Sequence, residues 1–165
     1  MTESYRVRVC KDYLVFSAAH FITYGGGICE RLHGHNYRVA AEVFGPLDEN
    51  HYVVDFIALR DVVKAIVDEL DHHVLLPTGH RLIQVDADED QVQATFADRR
   101  WVFPRADCIL LPVANTTSEL LARYIGRRVL ADLAVQTGAR PPRIRIELDD
   151  CFGQTALVEL AENDV

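Results

Sequence analysis

Behind Asp55, apolar residues recur every three or four positions at Phe56, Leu59, Val62, Val63, Ile66, Val67 and Leu70, the pattern of a helix with one buried face. Such a stripe folds only against a broad apolar partner, and the sequence supplies one on both sides. Residues 5–19 and 37–44 are rich in Val, Tyr and Phe and alternate in Arg6-Val7-Arg8-Val9 and Arg38-Val39, the two-residue period of a strand. Gly25-Gly26-Gly27 between them reads as a flexible loop. Asp55 is placed to cap the helix. A second helix is expected from Thr116, where Thr116-x-x-Glu119 has capping-box spacing, through Leu120, Leu121, Tyr124, Ile125 and Val129 toward Gly138. Pro141 and Pro142 forbid its continuation. Ile144-Arg145-Ile146-Glu147 and residues 155–160 then alternate about a turn at 149–153, a C-terminal hairpin.

Strand, strand, helix, helix, strand, strand predicts an α+β fold: a four-stranded antiparallel sheet with both helices on one face. Residues 81–112, between the helices, read as a β excursion with strand-like pieces at 82–85, 91–96 and 108–111. At 165 residues, one domain spanning 1–165 buries a sufficient core without staples. Cys10, Cys29, Cys108 and Cys151 are widely scattered and are therefore expected as free thiols. The first residues lack the basic-then-apolar order of a secretory signal, which points to the cytoplasm, and no apolar run is long enough for a membrane. A formal charge of -8 argues against nucleic acid as a partner. An anionic small molecule would need local Arg, Lys, metal or backbone donors to overcome that field.

Chemistry concentrates in Cys29-Glu30-Arg31-Leu32-His33-Gly34-His35-Asn36-Tyr37. A His-x-His pair entering a strand projects both imidazoles to one face. His20 closes the preceding strand, Phe16-Ser17-Ala18-Ala19-His20, and strand pairing could bring it alongside. Three neutral imidazoles leave a fourth zinc position open, the pattern of catalytic zinc. Isolated histidines at strand ends are more often ordinary polar residues. The third histidine, the nearby Cys29 and the pair Asp71-His72 shift that balance.

Phe16-Ser-Ala-Ala-His20, Cys29-x-x-x-His33-Gly-His35-Asn-Tyr37, Val54-Asp-Phe56, Leu70-Asp-His72, Thr117-Ser-Glu119 and Glu147 together resemble the 6-pyruvoyltetrahydropterin and 6-carboxytetrahydropterin synthase family, in order and spacing. The resemblance runs from Phe16 to Leu160, interrupted by 81–112, and implies a tunnelling fold whose trimers stack into hexamers. It implies Zn2+ on His20, His33 and His35. Cys29 is then the catalytic thiol, with a pKa lowered by the metal and a protonated imidazole. Asp71 and His72 form a second proton-transfer unit, with His73 as the other candidate imidazole. Glu147 grips the amino side of a pterin ring. Thr117 and Ser118 contact the ring or serve only to start a helix.

The substrate so implied is 7,8-dihydroneopterin triphosphate, converted to 6-carboxytetrahydropterin or 6-pyruvoyltetrahydropterin with release of triphosphate. Glu30 departs from that pattern, because relatives that trim the side chain to 6-hydroxymethyldihydropterin use a glutamate near the cysteine position. This chain carries both residues, unless Glu30 is merely a solvated loop acid. Arg31 and Lys11 are the candidate triphosphate contacts. The competing readings are a zinc- or pterin-binding protein without turnover, and a cyclohydrolase of the same fold, whose metal set would include cysteine.

Overall fold

The computed structural model describes residues 3–162, with the side chain of Cys151 outside the described set. The first strand region is not continuous. It divides into β1 (Tyr5–Val9) and β2 (Val15–His20), because the chain turns at Lys11, whose carbonyl accepts from the Leu14 amide at 3.0 Å, and buries Leu14 completely. Two short strands follow, β3 (Thr23–Tyr24) and β4 (Ile28–Cys29), joined through the three glycines. The long β5 (His33–Gly45) then pairs along one edge with β1 and β2 end to end, and along the other with β11 (Arg143–Cys151).

α1 (Phe56–Leu70) starts where the Asp55 carboxylate accepts from the amides of Ile57 at 2.7 Å and Ala58 at 3.4 Å. It is followed by β6 (His73–Pro77), then β7 (Gln84–Ala87), β8 (Gln91–Phe96), β9 (Arg99–Pro104) and β10 (Cys108–Leu111). α2 (Ser118–Thr137), β11 and β12 (Gln154–Ala161) complete the chain, and Gly138 closes α2 in the left-handed conformation. Thr117, not Thr116, precedes α2 as its cap and makes no side-chain capping bond. Thr116 is instead fully buried, its hydroxyl donating to the Phe21 carbonyl at 3.2 Å.

Among the described residues, the main sheet has seven strands rather than the expected four, in the order β10-β6-β2-β5-β11-β12 with β1 beside β2 on β5. It is mixed, since β6 runs parallel to both β2 and β10. Short polar-flanked segments such as His73–Pro77 carry too few residues to display a period, which is why alternation did not reveal them. Residues 108–111 belong to this sheet, whereas β7, β8 and β9 form a separate antiparallel sheet; β9 had no counterpart among the expected strands.

Both helices cover one face of the main sheet. Tyr37, Val39, Ala41 and Val43 of β5 and Ile144, Ile146 and Leu148 of β11 point into that core, as do Leu59, Val63, Ile66 and Leu121, Ile125, Val129 from the helices. Burying each such Val, Leu or Ile side chain stabilises the fold by about 1.5–3 kcal/mol. α2 approaches closely enough that a Cβ on Gly126 would lie 3.1 Å from Ile146 Cγ1 and 2.8 Å from Leu160 Cδ1, which accounts for a glycine in mid-helix. A second small core of Phe21, Leu76, Ile83, Val92, Ala94 and Cys108 joins the three-stranded sheet to the main body. Cys10, Cys29 and Cys108 are free thiols. Among the described residues, no helix is long and apolar enough to cross a membrane.

The opposite face carries charge. Arg8 of β1 grips Glu147 of β11 through Nη1 and Nη2, and buried Glu42 lies 3.6 Å from Arg6 and 3.2 Å from Arg145. The Arg8 guanidinium holds the Glu147 carboxyl below the usual carboxylate range. Solvent reaches this pair, so Glu147→Gln should lower stability at neutral pH by about 1 kcal/mol or less. Because the folded pKa lies below the ordinary 4.5, the wild-type advantage is complete above that pH and fades as pH falls through the folded value. Denaturant melts of both proteins at neutral and acid pH check this; an advantage that grows on acidification contradicts the pairing.

Candidate active site

Strand register assembles the histidines. β2 and β5 pair antiparallel with His20 opposite His33 and Ala18 opposite His35, so His33 and His35, two apart, share a face with His20. Their ring centroids lie 4.7 to 5.2 Å apart, and one ring nitrogen from each falls within 4.8 Å of the others. This is the helix-covered face, at the end where the aliphatic core gives way to Tyr37.

The donor set fits a metal ion. His20 Nδ1 sits 2.8 Å from the Thr116 carbonyl and His33 Nδ1 2.9 Å from the Arg31 carbonyl. A proton held on Nδ1 by a carbonyl leaves the Nε2 lone pair as the ligand atom, the arrangement that orients metal-binding imidazoles; on His20 the Tyr37 hydroxyl lies 3.3 Å from Nε2. Burial lowers the His20 pKa to about 4, so this imidazole is neutral at pH 7, as a ligand must be. Thr116 thus serves the site through its backbone, a role invisible in a pattern of side chains.

A cavity of about 580 Å³ opens over the three rings. Glu30, Thr117, Ser118 and Asp150 line it together with the histidines. Glu30 Oε2 lies 3.8 Å from His33 Nε2. Ser118 donates its hydroxyl proton to Asp150 Oδ2 at 2.7 Å, fixing that carboxylate at the mouth of α2. With Glu119 also on the wall, three carboxylates surround the imidazoles, a field that favours a cation.

Cys29 stands elsewhere. Its half-buried side chain packs against the second core, with Sγ 3.5 Å from the Glu30 carbonyl. Burial pushes the Cys29 thiol up, opposed by the charge of Arg99, so the protein surroundings move it the other way from the expected lowering. Neighbouring residues in extended backbone face opposite sides, so Cys29 and Glu30 do not both meet the histidines.

Asp71 and His72 form the expected pair, 2.8 Å apart, at the end of α1. The Ser17 amide donates to Asp71 at 2.7 Å and is the main cause of its lowered pKa, with His72 adding to it. His72 adopts a left-handed φ of 60°, and its ring is exposed. It lines a different cavity, of about 440 Å³, with Ser17, Gly34, Asn36, His35 and Asp107. His73 borders that cavity too, and its buried Nδ1 has no hydrogen-bond partner among the described residues. Among the described residues, the cavity lined by His72 and the cavity lined by Glu30 share one lining residue, His35.

Glu147 lies on the charged face with Arg8, opposite Ala40 in the register. Asp150 was not among the expected residues. Strand parity counted forward from Ile146 and Leu148 points to it, but the register irregularity between Asp149 and Cys151 interrupts that count. Lys11 and Arg31 are exposed and line neither cavity.

Comparison with known proteins assigns the family and the fold. The profile of the family described as 6-pyruvoyl tetrahydropterin synthase matches residues 10–154. A Methanocaldococcus jannaschii protein described as a putative 6-carboxy-5,6,7,8-tetrahydropterin synthase is 31% identical over 144 residues, covering 87% of this chain and 88% of that one. The solved Plasmodium falciparum 6-pyruvoyl tetrahydropterin synthase superimposes with a TM-score of 0.87 at 30% identity, covering 97% of this chain and 99% of that one. The Plasmodium vivax enzyme, 26% identical with a TM-score of 0.87 and coverage of 97% and 99%, has been solved with a catalytic glutamate replaced by alanine. By profile, sequence and fold, the chain belongs to the 6-pyruvoyl tetrahydropterin synthase family of lyase-type enzymes.

Proposed function

We propose that this protein is a zinc-dependent lyase acting on the side chain of 7,8-dihydroneopterin triphosphate in the cytoplasm. The observation that carries the reading is the convergence of His20, His33 and His35 beneath a cavity walled by Glu30 and Asp150. Zinc held there would supply Lewis acidity toward the side-chain hydroxyls. Asp150, held by Ser118, offers an acceptor-only carboxylate to the adjacent N–H donors of the pterin ring. It takes the part expected of Glu147, which Arg8 occupies on the other face. Thr117 lines the approach to the ring.

Two outcomes follow from the neighbouring Cys29 and Glu30. Cys29 acting as base leads to 6-carboxytetrahydropterin or 6-pyruvoyltetrahydropterin with loss of triphosphate. Glu30, however, is the residue that faces the histidines, and the Plasmodium vivax relative likewise has a catalytic glutamate. This favours cleavage of the side chain to 6-hydroxymethyldihydropterin. Glu30 takes the proton of the hydroxyl on the second side-chain carbon as the bond to the first carbon breaks, and the electron pair left on the first carbon is then protonated. Asp71-His72 would be delivered by a neighbouring copy, since the two cavities of one chain share only His35; a homo-oligomer of trimers stacked as a hexamer fits this need.

Zinc-loaded protein incubated with 7,8-dihydroneopterin triphosphate, with products resolved by chromatography and mass spectrometry, tests both outcomes. Glu30→Gln should cost the hydroxymethyl product about 100-fold or more, and Cys29→Ala should remove any 6-carboxy or 6-pyruvoyl product. No product from the wild type despite bound zinc sinks the reading in favour of a binding protein without turnover. Asp150→Asn should raise KM roughly 10-fold or more with zinc retained, the loss of charge-assisted hydrogen bonds, whereas Glu147→Gln should leave KM unchanged. The reverse ranking restores Glu147 as the ring contact.

A further inference from the structure

The Cys29-Glu30 step is gripped from outside the histidine cavity. Arg99 of β9 donates from Nη1 to the Cys29 carbonyl at 2.8 Å and from Nη2 to the Glu30 carbonyl at 2.9 Å. The Glu30 amide donates to the Ile22 carbonyl at 2.9 Å. The two peptide groups that flank the Glu30 Cα are therefore both pinned, the first at each end and the second at its oxygen. With both planes fixed, the Glu30 φ and ψ are fixed, and with them the direction of its Cα–Cβ bond.

Arg99 is itself held. Its guanidinium lies 4.5 Å from the centre of the Trp101 ring, and Trp101 stacks on Phe21 with centroids 4.3 Å apart and planes at 18°. Phe21 directly follows His20, and its carbonyl accepts the Thr116 hydroxyl. Arg99, Trp101 and Phe103 alternate along β9 and turn inward, while Arg100 faces out and bonds Gln93 at 2.7 Å. The three-stranded sheet thus presents a planar, two-pronged donor to two successive carbonyls, a geometry that the single ammonium of lysine does not reproduce.

We propose that Arg99 is a positioning residue, through which the β7-β8-β9 sheet sets Glu30, rather than Cys29, toward the three histidines and so selects the outcome of the reaction. This rests on the two-outcome reading above. The segment at 81–112 then serves to hold the peptide on which that choice turns.

Zinc-loaded wild type is compared with Arg99→Ala, Arg99→Lys and, as a surface control on the same strand, Arg100→Ala. Product analysis should show the Glu30-dependent product of Arg99→Ala falling about 10-fold or more in kcat with KM little changed, and the ratio of products moving toward the Cys29-dependent one. A purely structural role would lower both products together. Arg99→Lys should fail to restore the ratio, and it carries the test if Arg99→Ala does not fold. Amide hydrogen exchange at Glu30 should accelerate about 10-fold in both Arg99 variants and not in Arg100→Ala. Wild-type rates and ratio in both Arg99 variants, with unchanged exchange, overturn the proposal while leaving the lyase reading intact. A wild type without turnover removes that reading instead, and the exchange measurement still decides whether Arg99 fixes the Glu30 peptide.

Discussion

The antiparallel register of β2 against β5 places the histidines, and most of the core depends on it as well. With His20 opposite His33, three imidazoles share one face; a slip of a single residue would send His20 to the other side of the sheet. That register is enforced far from the histidines. Phe16 and Tyr37 stack with centroids 4.8 Å apart, and Tyr37, Val39, Ala41 and Val43 continue the same face under the helices. A slip would therefore expose a row of core side chains as well as scatter the ligands. Core packing and metal geometry are two consequences of one pairing.

The same parity explains what could and could not be read from the sequence. The His-x-His pair, the α1 stripe and the Asp55 cap were legible because each is local and periodic. Asp150 was not, because Glu147 and Asp150 sit on opposite faces, and a register irregularity between Asp149 and Cys151 lies at the point where the phase must be counted. The four expected strands became seven once the first divided into β1 and β2 and once β6 and β10 were recruited in parallel, a pairing between distant segments that no local window contains. Thr116 looked like a cap because of its spacing from Glu119, yet its hydroxyl and carbonyl serve Phe21 and His20. Arg99 left no signal beyond the alternation of Arg99, Trp101 and Phe103.

Electrostatics divide the two faces. On the far face, Arg6, Arg8 and Arg145 neutralise Glu42 and Glu147 in pairs. On the histidine face, Glu30, Glu119 and Asp150 gather around the imidazoles without a basic side chain in the cavity wall among the described residues. An uncompensated acidic cavity in a chain of net charge -8 suits a divalent cation and a ring rich in N–H donors. It does not suit a triphosphate, whose charge would have to lie beyond the wall, where a neighbouring copy could supply donors.

Histidines alone hold the metal, on this reading, while Cys29 stays with the apolar core. X-ray absorption spectroscopy of the zinc-loaded protein distinguishes the two ligand types directly. Nitrogen and oxygen neighbours at about 2.0–2.1 Å with no sulfur are expected. A zinc–sulfur distance of about 2.3 Å would instead place Cys29 on the metal and refute the all-histidine site.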